Sequence, residues 1–451
     1  MTYPQAIKYL ESFINYEKLP DYPYKESLKL ERIKDFLKAI GNPQESLRCI
    51  HVAGTKGKGS TCAFITYILR EAGFKVGLYT SPHLSDFRER IRILKSRTSH
   101  VARRTPKDFE GMISQKNLNR LVEKIKPAIE KYNHKSKYGP LSFFEIYTTL
   151  AFIYFLQQKT DFVVLETGLG GRLDATNVVS PLVCAITPIS YEHTQKLGNS
   201  LREIAREKAG IVKRYKLHVT RHTLNVISAP QEKEAMKVLK EKCKITGAKL
   251  YTLGKEIKYL KKKNSFTIDG FLGRYPGLKT NLVGQHQLIN ACVAVGMVEA
   301  LASQGADVDA GAIKRGIAQT LWPGRCEIIA KNPLIILDGA QNIASAAALK
   351  KTIKENFKYR NLILVLGISS DKDLRGICRE LSDLADKVIL TKANNPRAAL
   401  PEILAGNFAQ KESYLTYNLK EARKLALSLA GKGDLILVTG SLFVVGEFRD
   451  V

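Results

Sequence analysis

The chain has 451 residues, 44% hydrophobic and 25% charged, with a formal net charge of +28. This length carries cores for about two or three domains, and the composition excludes a disordered, collagenous or membrane-spanning chain. The basic excess directs attention to anionic partners and is silent on the fold.

The basic residues are densest at 95–107 and 255–263, and neither run interleaves aromatics as a base-stacking surface would. A solvated basic surface is therefore expected, and nucleic acid is not the expected partner. The seven cysteines are scattered and form no C-x-x-C pair. That argues against a zinc site or a disulfide framework and for buried thiols in a reducing compartment. No signal-peptide pattern opens the chain, and the most apolar run, residues 147–156, is too short to cross a bilayer. The expectation is a cytoplasmic enzyme that acts as a monomer and makes no membrane contact.

Residues 1–48 read as helical, with Ile33, Phe36, Leu37 and Ile40 at helical spacing and Gly41-Asn42-Pro43 as the stop. An apolar strand, Cys49–Ala53, then meets Gly54-Thr55-Lys56-Gly57-Lys58-Gly59-Ser60-Thr61 and a helix-spaced run over 62–69. Strand, glycine-rich turn and helix is the setting of a phosphate-binding loop. Glycines let backbone N–H groups turn inward around an anion, and the helix start adds partial positive charge. Lys58 can reach the terminal phosphates, and Ser60 or Thr61 can hold a phosphate oxygen or a magnesium-bound water. Gly59 stands between the lysine and the hydroxyl, a departure from the common G-x-x-x-x-G-K-[ST] spacing.

A strand over 75–80 ends in Ser81-Pro82-His83-Leu84. Open α/β sheets bind ligands beyond the carboxyl ends of their strands. Ser81 is thus a candidate metal or phosphate contact, or else a turn residue. Residues 94–113 read as a basic loop or insertion, and 118–132 as a helix. Ser142-Phe143-Phe144-Glu145 precede an apolar helix over 146–156. The two phenylalanines suit either a flat heteroaromatic ring or a core at the helix start. The strand over 161–166 ends in Glu166, the position of a Walker-B carboxylate that holds Mg2+. The strand over 182–187 leads to His193, a candidate metal or phosphate ligand. Lys208 shows no local signal beyond that of a surface lysine.

Residues 216–246 read as a strand and then a helix. Residues 250–282 read as β-rich, with turns at Asp269-Gly270 and Tyr275-Pro276-Gly277. A helix over 291–301 follows, and Gln287 and Asn290 share a face whose amides suit an adenine edge. Trp322-Pro323-Gly324-Arg325 marks a boundary. Beyond it, strands at 334–337, 362–366, 387–391 and 434–438 each end in a polar loop. That rhythm implies a second, smaller parallel sheet of about 125 residues.

Taken together, several segments resemble the folylpolyglutamate synthase/dihydrofolate synthase family, the folate branch of the Mur ligases. They are the loop from His51 to Thr61, Ser81–Leu84 with Glu89 to Ile91, Leu165 to Asn177, Glu207 to Ile211, Gly284 to Gln287 with Asn290, Pro323 to Arg325, and Leu337 to Ala340. Their order is the family's order and the resemblance spans nearly the whole chain. It implies an α/β fold with a P-loop NTPase-like Mur-ligase central domain, residues 1–320, and a smaller Rossmann-like C-terminal domain, residues 326–451. It implies a C–N-bond-forming ligase that uses ATP and Mg2+ to join L-glutamate to folate or dihydropteroate through an acyl phosphate.

By the same resemblance, Ser81, Glu166 and His193 match magnesium ligands, and Lys208 matches a lysine that becomes carbamylated. Gly54, Thr55, Gly57, Lys58, Gly59, Ser60, Thr61, Asn290, Arg325 and Asp338 match nucleotide contacts. Ser142, Phe143, Phe144 and Glu145, with Leu173, Asp174 and Ala175, match segments lining a pterin site. Lys58, Glu166, His193 and Lys208 are the expected catalytic groups. Three residues depart from the family pattern. Lys56 stands where asparagine is common, Glu192 where aspartate is, and Gln341 where histidine is. Gln341 cannot carry a proton near neutral pH as histidine does. A Mur ligase acting on another carboxylate, or a nucleic-acid-stimulated ATPase, are the alternatives; the ring-lining segments argue against the first and only charge suggests the second.

Overall fold

The computed structural model describes residues 1–19, 21–96, 109–214 and 223–451. The basic run at 95–107 lies, from 97 on, outside the described residues, as does the start of the 216–246 segment.

The first sheet has seven strands: β1 (Cys49–Ala53), β2 (Val76–Tyr79), β3 (Ile91–Leu94), β4 (Phe162–Glu166), β5 (Val183–Ile186), β6 (Asn225–Ser228) and β7 (Lys249–Thr252). Their order is β3-β2-β4-β1-β5-β6-β7, all parallel except β3, which pairs antiparallel with β2. The central strands β1, β2, β4 and β5 are buried at every position, as strands covered on both faces must be. One face is covered by the helices Lys58–Glu71, Gln285–Ala302 and Ala310–Gln319. The other is covered by Phe143–Gln157, Gln115–Lys135 and Leu30–Ala39. Gly316 lets two of these helices meet at backbone distance, since a Cβ there would lie 2.4 Å from Ile68 Cα.

A three-stranded antiparallel sheet, β8 (Lys258–Lys261), β9 (Phe266–Asp269) and β10 (Arg274–Leu278), attaches beside the first. Asp269-Gly270 turns as expected. The turn expected at Tyr275-Pro276-Gly277 is instead part of β10, where the pairing with β9 shifts register between Tyr275 and Leu278. The proline and glycine are accommodated as an edge irregularity rather than a reversal.

The last sheet holds β11 (Glu327–Lys331), β12 (Leu334–Leu337), β13 (Leu362–Leu366), β14 (Lys387–Leu390), β15 (Glu412–Leu415) and β16 (Leu435–Thr439), in the order β11-β12-β16-β13-β14-β15. β11 alone runs antiparallel. The edge strands β11 and β15 escape the sequence pattern because much of each faces solvent. β3, although largely buried, is only four residues long and lies just before the segment expected to be a loop.

The helix expected from 146 begins at Phe143. Ser142 caps it and Glu145 returns the cap, its carboxylate accepting from the Ser142 N–H at 2.8 Å. The S-x-x-E spacing was the available signal.

Candidate functional site

At the carboxyl end of β1 the backbone of Gly54 takes φ +148° and that of Gly57 φ +81°. The helix Lys58–Glu71 starts directly after Gly57. Side chains are excluded at these turns: a Cβ on Gly54 would lie 1.9 Å from Thr187 Oγ1, and one on Gly57 2.2 Å from Asn290 Oδ1. The Thr61 hydroxyl, one helical turn in, is buried with no hydrogen-bond partner. Lys58 Nζ stands 4.0 Å from a Glu166 carboxylate oxygen.

Glu166 ends β4 and is buried. Among the described residues its carboxylate accepts one hydrogen bond, from the Ser81 N–H at 3.3 Å. Burial pushes this carboxyl up and Lys58 opposes the push. His193, beyond the end of β5, lines the cavity and is part open to it; desolvation there and the Lys372 and Lys208 cations lower its pKa. Lys208 donates to the Gly54 carbonyl at 2.8 Å. Burial, then the neighbouring Lys58 cation, brings its pKa down to about 7. An amine that sheds its proton at neutral pH is a nucleophile, which a surface lysine is not.

A cavity of about 370 Å3 opens beside these strand ends, between the two large sheets. Ser81, Ser142, Phe144, Leu173, Ala175 and His193 are among its walls. Phe143 is not; it is fully buried, with the Arg90 guanidinium 5.3 Å from its ring centroid. The expectation that both phenylalanines flank a ring is thus corrected, and Phe144 alone faces the space. Glu145 and Asp174 reach the cavity wall as structural carboxylates. Glu145 caps its helix and takes Arg32 Nε at 2.9 Å on both oxygens. Asp174 accepts from the N–H groups of Gly168, Leu169 and Thr176, and so folds its own loop.

The second sheet brings the turns at 324–326 and 338–342 to the same place, where they meet groups of the first unit. Asp338 accepts from the Cys326 N–H at 2.9 Å and the Ala340 N–H at 3.0 Å, which shapes the turn beside Arg325. Asn290 donates to Gln287 at 2.9 Å and sits over Gly57. Two of the departures meet at one carboxylate oxygen: Glu192 Oε1 accepts from Lys56 Nζ at 3.1 Å and from Asn342 Nδ2 at 3.0 Å. Gln341, the third, lines the cavity next door.

Sequence reasoning missed a cluster of cations. Asp371 pairs with Arg397 at 2.8 Å and with Lys372 at 3.0 Å. Lys196 lies over the Tyr22 ring at 3.9 Å and, among the described residues, has no ion-pair partner. Burial and then Arg397 lower its pKa. Two cations thus share one carboxylate on the cavity wall, and Lys196 stands close enough to Arg397 to feel its charge. Both Lys372 and Arg397 lie in loops at strand ends, and that placement was the signal available; Lys196 had none. Arg397 also donates to the Glu17 carbonyl at 2.7 Å, while Arg90 holds the Glu17 carboxylate at 2.6 and 2.9 Å. The N-terminal segment is fastened to both halves.

A phosphate loop on a parallel sheet, facing a second parallel sheet across a ligand-sized cavity, defines a ligase of the Mur type. The Mur ligase middle domain matches residues 118–298, and the Mur ligase glutamate ligase domain matches residues 324–442. A dihydrofolate synthase/folylpolyglutamate synthase of Bacillus subtilis is 33% identical over 93% of this chain and 94% of its own. The Mycobacterium tuberculosis folylpolyglutamate synthase complexed with ADP and AMPPCP superposes with a TM-score of 0.84, at 31% identity over 94% of this chain and 95% of that one. An Escherichia coli FolC structure in complex with DHPP and ADP superposes with a TM-score of 0.83, at 29% identity over all of this chain and 97% of that one. The chain belongs to the folylpolyglutamate synthase/dihydrofolate synthase family, whose members are ATP- and Mg2+-using ligases.

Proposed function

We propose that this chain ligates L-glutamate to a folate, and also to dihydropteroate, at the cost of one ATP. A carboxylate is a poor acyl donor because its leaving group would be oxide. Transfer of the terminal phosphoryl group to a carboxylate oxygen supplies a good leaving group. The amine of glutamate then attacks the acyl carbon, the amide bond forms, and phosphate and a proton leave. The observation that supports this reading is the junction of phosphate loop and cavity: Ser81 is a wall of the cavity, and its N–H donates to Glu166, which stands 4.0 Å from Lys58 of the loop.

In this reading the loop from Gly54 to Thr61 seats the phosphates. Lys58 neutralises charge developing on the transferred group. Asn290 and Arg325 contact the nucleotide, and Asp338 holds the turn that presents Arg325. Ser81, Glu166 and His193 suit Mg2+. Glu166 is a buried carboxylate with one hydrogen bond, His193 is neutral, and the set offers one carboxylate rather than several. Mg2+ keeps waters and substrate phosphates in its shell and needs no protein cage; bound there, it offsets phosphate charge. Among the described residues no three His, Cys, Asp or Glu side chains converge as a ready cage for another metal. Lys208, with an amine near pKa 7, adds CO2 to form a carbamate, one N–C bond gained and one proton lost. The resulting anion beside Gly54 restrains the loop.

Phe144, Leu173 and Ala175 face the pterin ring, and Lys196, Lys372 and Arg397 take carboxylates of the folate tail or of the incoming glutamate. Because units 1–320 and 326–451 of one chain supply both walls, a monomer suffices. The test is ADP release measured with ATP, folate and glutamate, and with each omitted in turn. Release only when all three are present is expected; release without folate overturns the proposal.

A further inference from the structure

Each glycine of the phosphate loop is backed by one residue from outside the loop. Thr187 stands behind Gly54 and Asn290 behind Gly57, both within the first unit. Behind Gly59 stands Trp322. A Cβ on Gly59 would lie 2.9 Å from Trp322 Cζ2, 3.1 Å from Nε1 and 3.2 Å from Cε2.

The third case differs in kind. Gly54 and Gly57 have positive φ, which asks for glycine whatever surrounds them. Gly59 lies inside the helix Lys58–Glu71 and has no positive φ. Glycine in a helix is unfavourable relative to alanine. No positive φ asks for glycine here, and what the missing side chain makes room for is the indole edge. Trp322 is the only tryptophan of the chain. It lies in the stretch between the helix Ala310–Gln319 and β11, the single passage of the chain from the first large sheet to the last. Its ring is half-buried against the core of the first unit, with the Arg92 guanidinium 5.7 Å from the ring centroid.

We infer that Trp322 is a positioning residue for the phosphate loop. Its indole fixes the seat of Gly59, and with it the placement of Lys58, Ser60 and Thr61 on either side. The same side chain joins that seat to the linker from which the second unit hangs. Nucleotide binding and the setting of the linker are thereby coupled through one ring. The inference rests on the nucleotide-site reading above.

The test uses the full chain. Circular dichroism confirms folding of each variant, calorimetry measures ADP binding, and the emission of the single tryptophan is followed during titration. ADP is expected to shift the wild-type emission. Trp322→Ala should weaken ADP binding by about tenfold or more, as small misplacements of positioning groups do. KM for ATP should rise while KM for folate and glutamate stays. Trp322→Phe should recover most of the loss. Gly59→Ala should impair ADP binding in the wild-type background, and adding Trp322→Ala should return it to the level of Trp322→Ala alone, because the collision is gone.

Wild-type protein that binds no ADP overturns the nucleotide reading and this inference with it. Wild-type binding together with a folded Trp322→Ala that binds ADP equally well overturns this inference alone. So do strictly additive losses in the double variant. Should Trp322→Ala fail to fold, the pair Gly59→Ala and Trp322→Phe decides in the same way: relief supports the inference, additivity overturns it.

Discussion

Around the phosphate loop the working groups are buried and singly placed. Lys208 and Glu166 lie out of water, each with one close hydrogen-bond partner, and their pKa values are displaced by that burial. Across the cavity the order is reversed. Arg397 and Lys372 are part-exposed and share the Asp371 carboxylate, with Lys196 beside them over the Tyr22 ring. In the proposed reaction the first region would hold geometry constant for a transition state whose charge develops at a fixed point. The second carries charges that could exchange one partner for another, as the proposed polyanionic substrates require. The same chain thus builds buried, singly paired groups on one side of the cavity and part-exposed, paired ones on the other.

Breaking the rigid side should cost the most. Lys58→Ala is expected to lower kcat by about a hundredfold or more and to leave the melting temperature nearly unchanged; near-wild-type turnover would refute the loop assignment. Breaking the exchangeable side should separate binding from chemistry. Arg397→Ala should raise KM for glutamate or folate about tenfold, the scale of a lost charge-assisted hydrogen bond, with KM for ATP unmoved. A change confined to ATP would place that cluster elsewhere in the reaction.

Glu166→Gln sharpens the contrast further. The Mg2+ concentration for half-maximal rate should rise about tenfold, the low end for loss of a metal-site carboxylate; an unchanged requirement would count against the metal set.

The smallest effects concern stability and carry a definite sign. Lys208 has a folded pKa of about 7 against an ordinary 10.5. Between those values the unfolded chain holds a proton that the folded chain has shed, so stability rises with pH through this window. Lys208→Met should therefore be inactive yet more stable at pH 7, by about 1–3 kcal/mol. His51, fully buried, is lowered by that burial to about 3. Its contribution is present above pH 6.5 and is lost as pH falls toward 3, which melting temperature against pH will show. A flat profile there would mean that this imidazole is solvated.

How much of this was legible follows the same division. The buried strands β1, β4, β5, β12, β13 and β16 announce themselves as continuous apolar runs, and the polar residues at their ends follow from where such strands stop. The loop glycines were visible too. The edge strands β11 and β15 were not, because much of each faces solvent and reads as loop. Nor was the part played by Glu145 and Asp174. A carboxylate that caps a helix and one that meets a ligand look identical until the hydrogen bonds are counted. Phe143 and Phe144 are adjacent and alike in sequence, yet helix geometry turns one into the core and leaves the other on the cavity. The cation cluster is assembled from residues 196, 372 and 397, and no local pattern links positions so far apart.

The fastening of Glu17 has a mechanical consequence. Its side chain is held by Arg90 of the first unit and its carbonyl by Arg397 of the second. A swing of the second unit must either snap the carbonyl bond or drag residues 12–19 along with it. Glu17 and Arg397 both line the cavity, so the tie between the units runs along its wall. A substrate carboxylate that took Arg397, as proposed above, would release that tie.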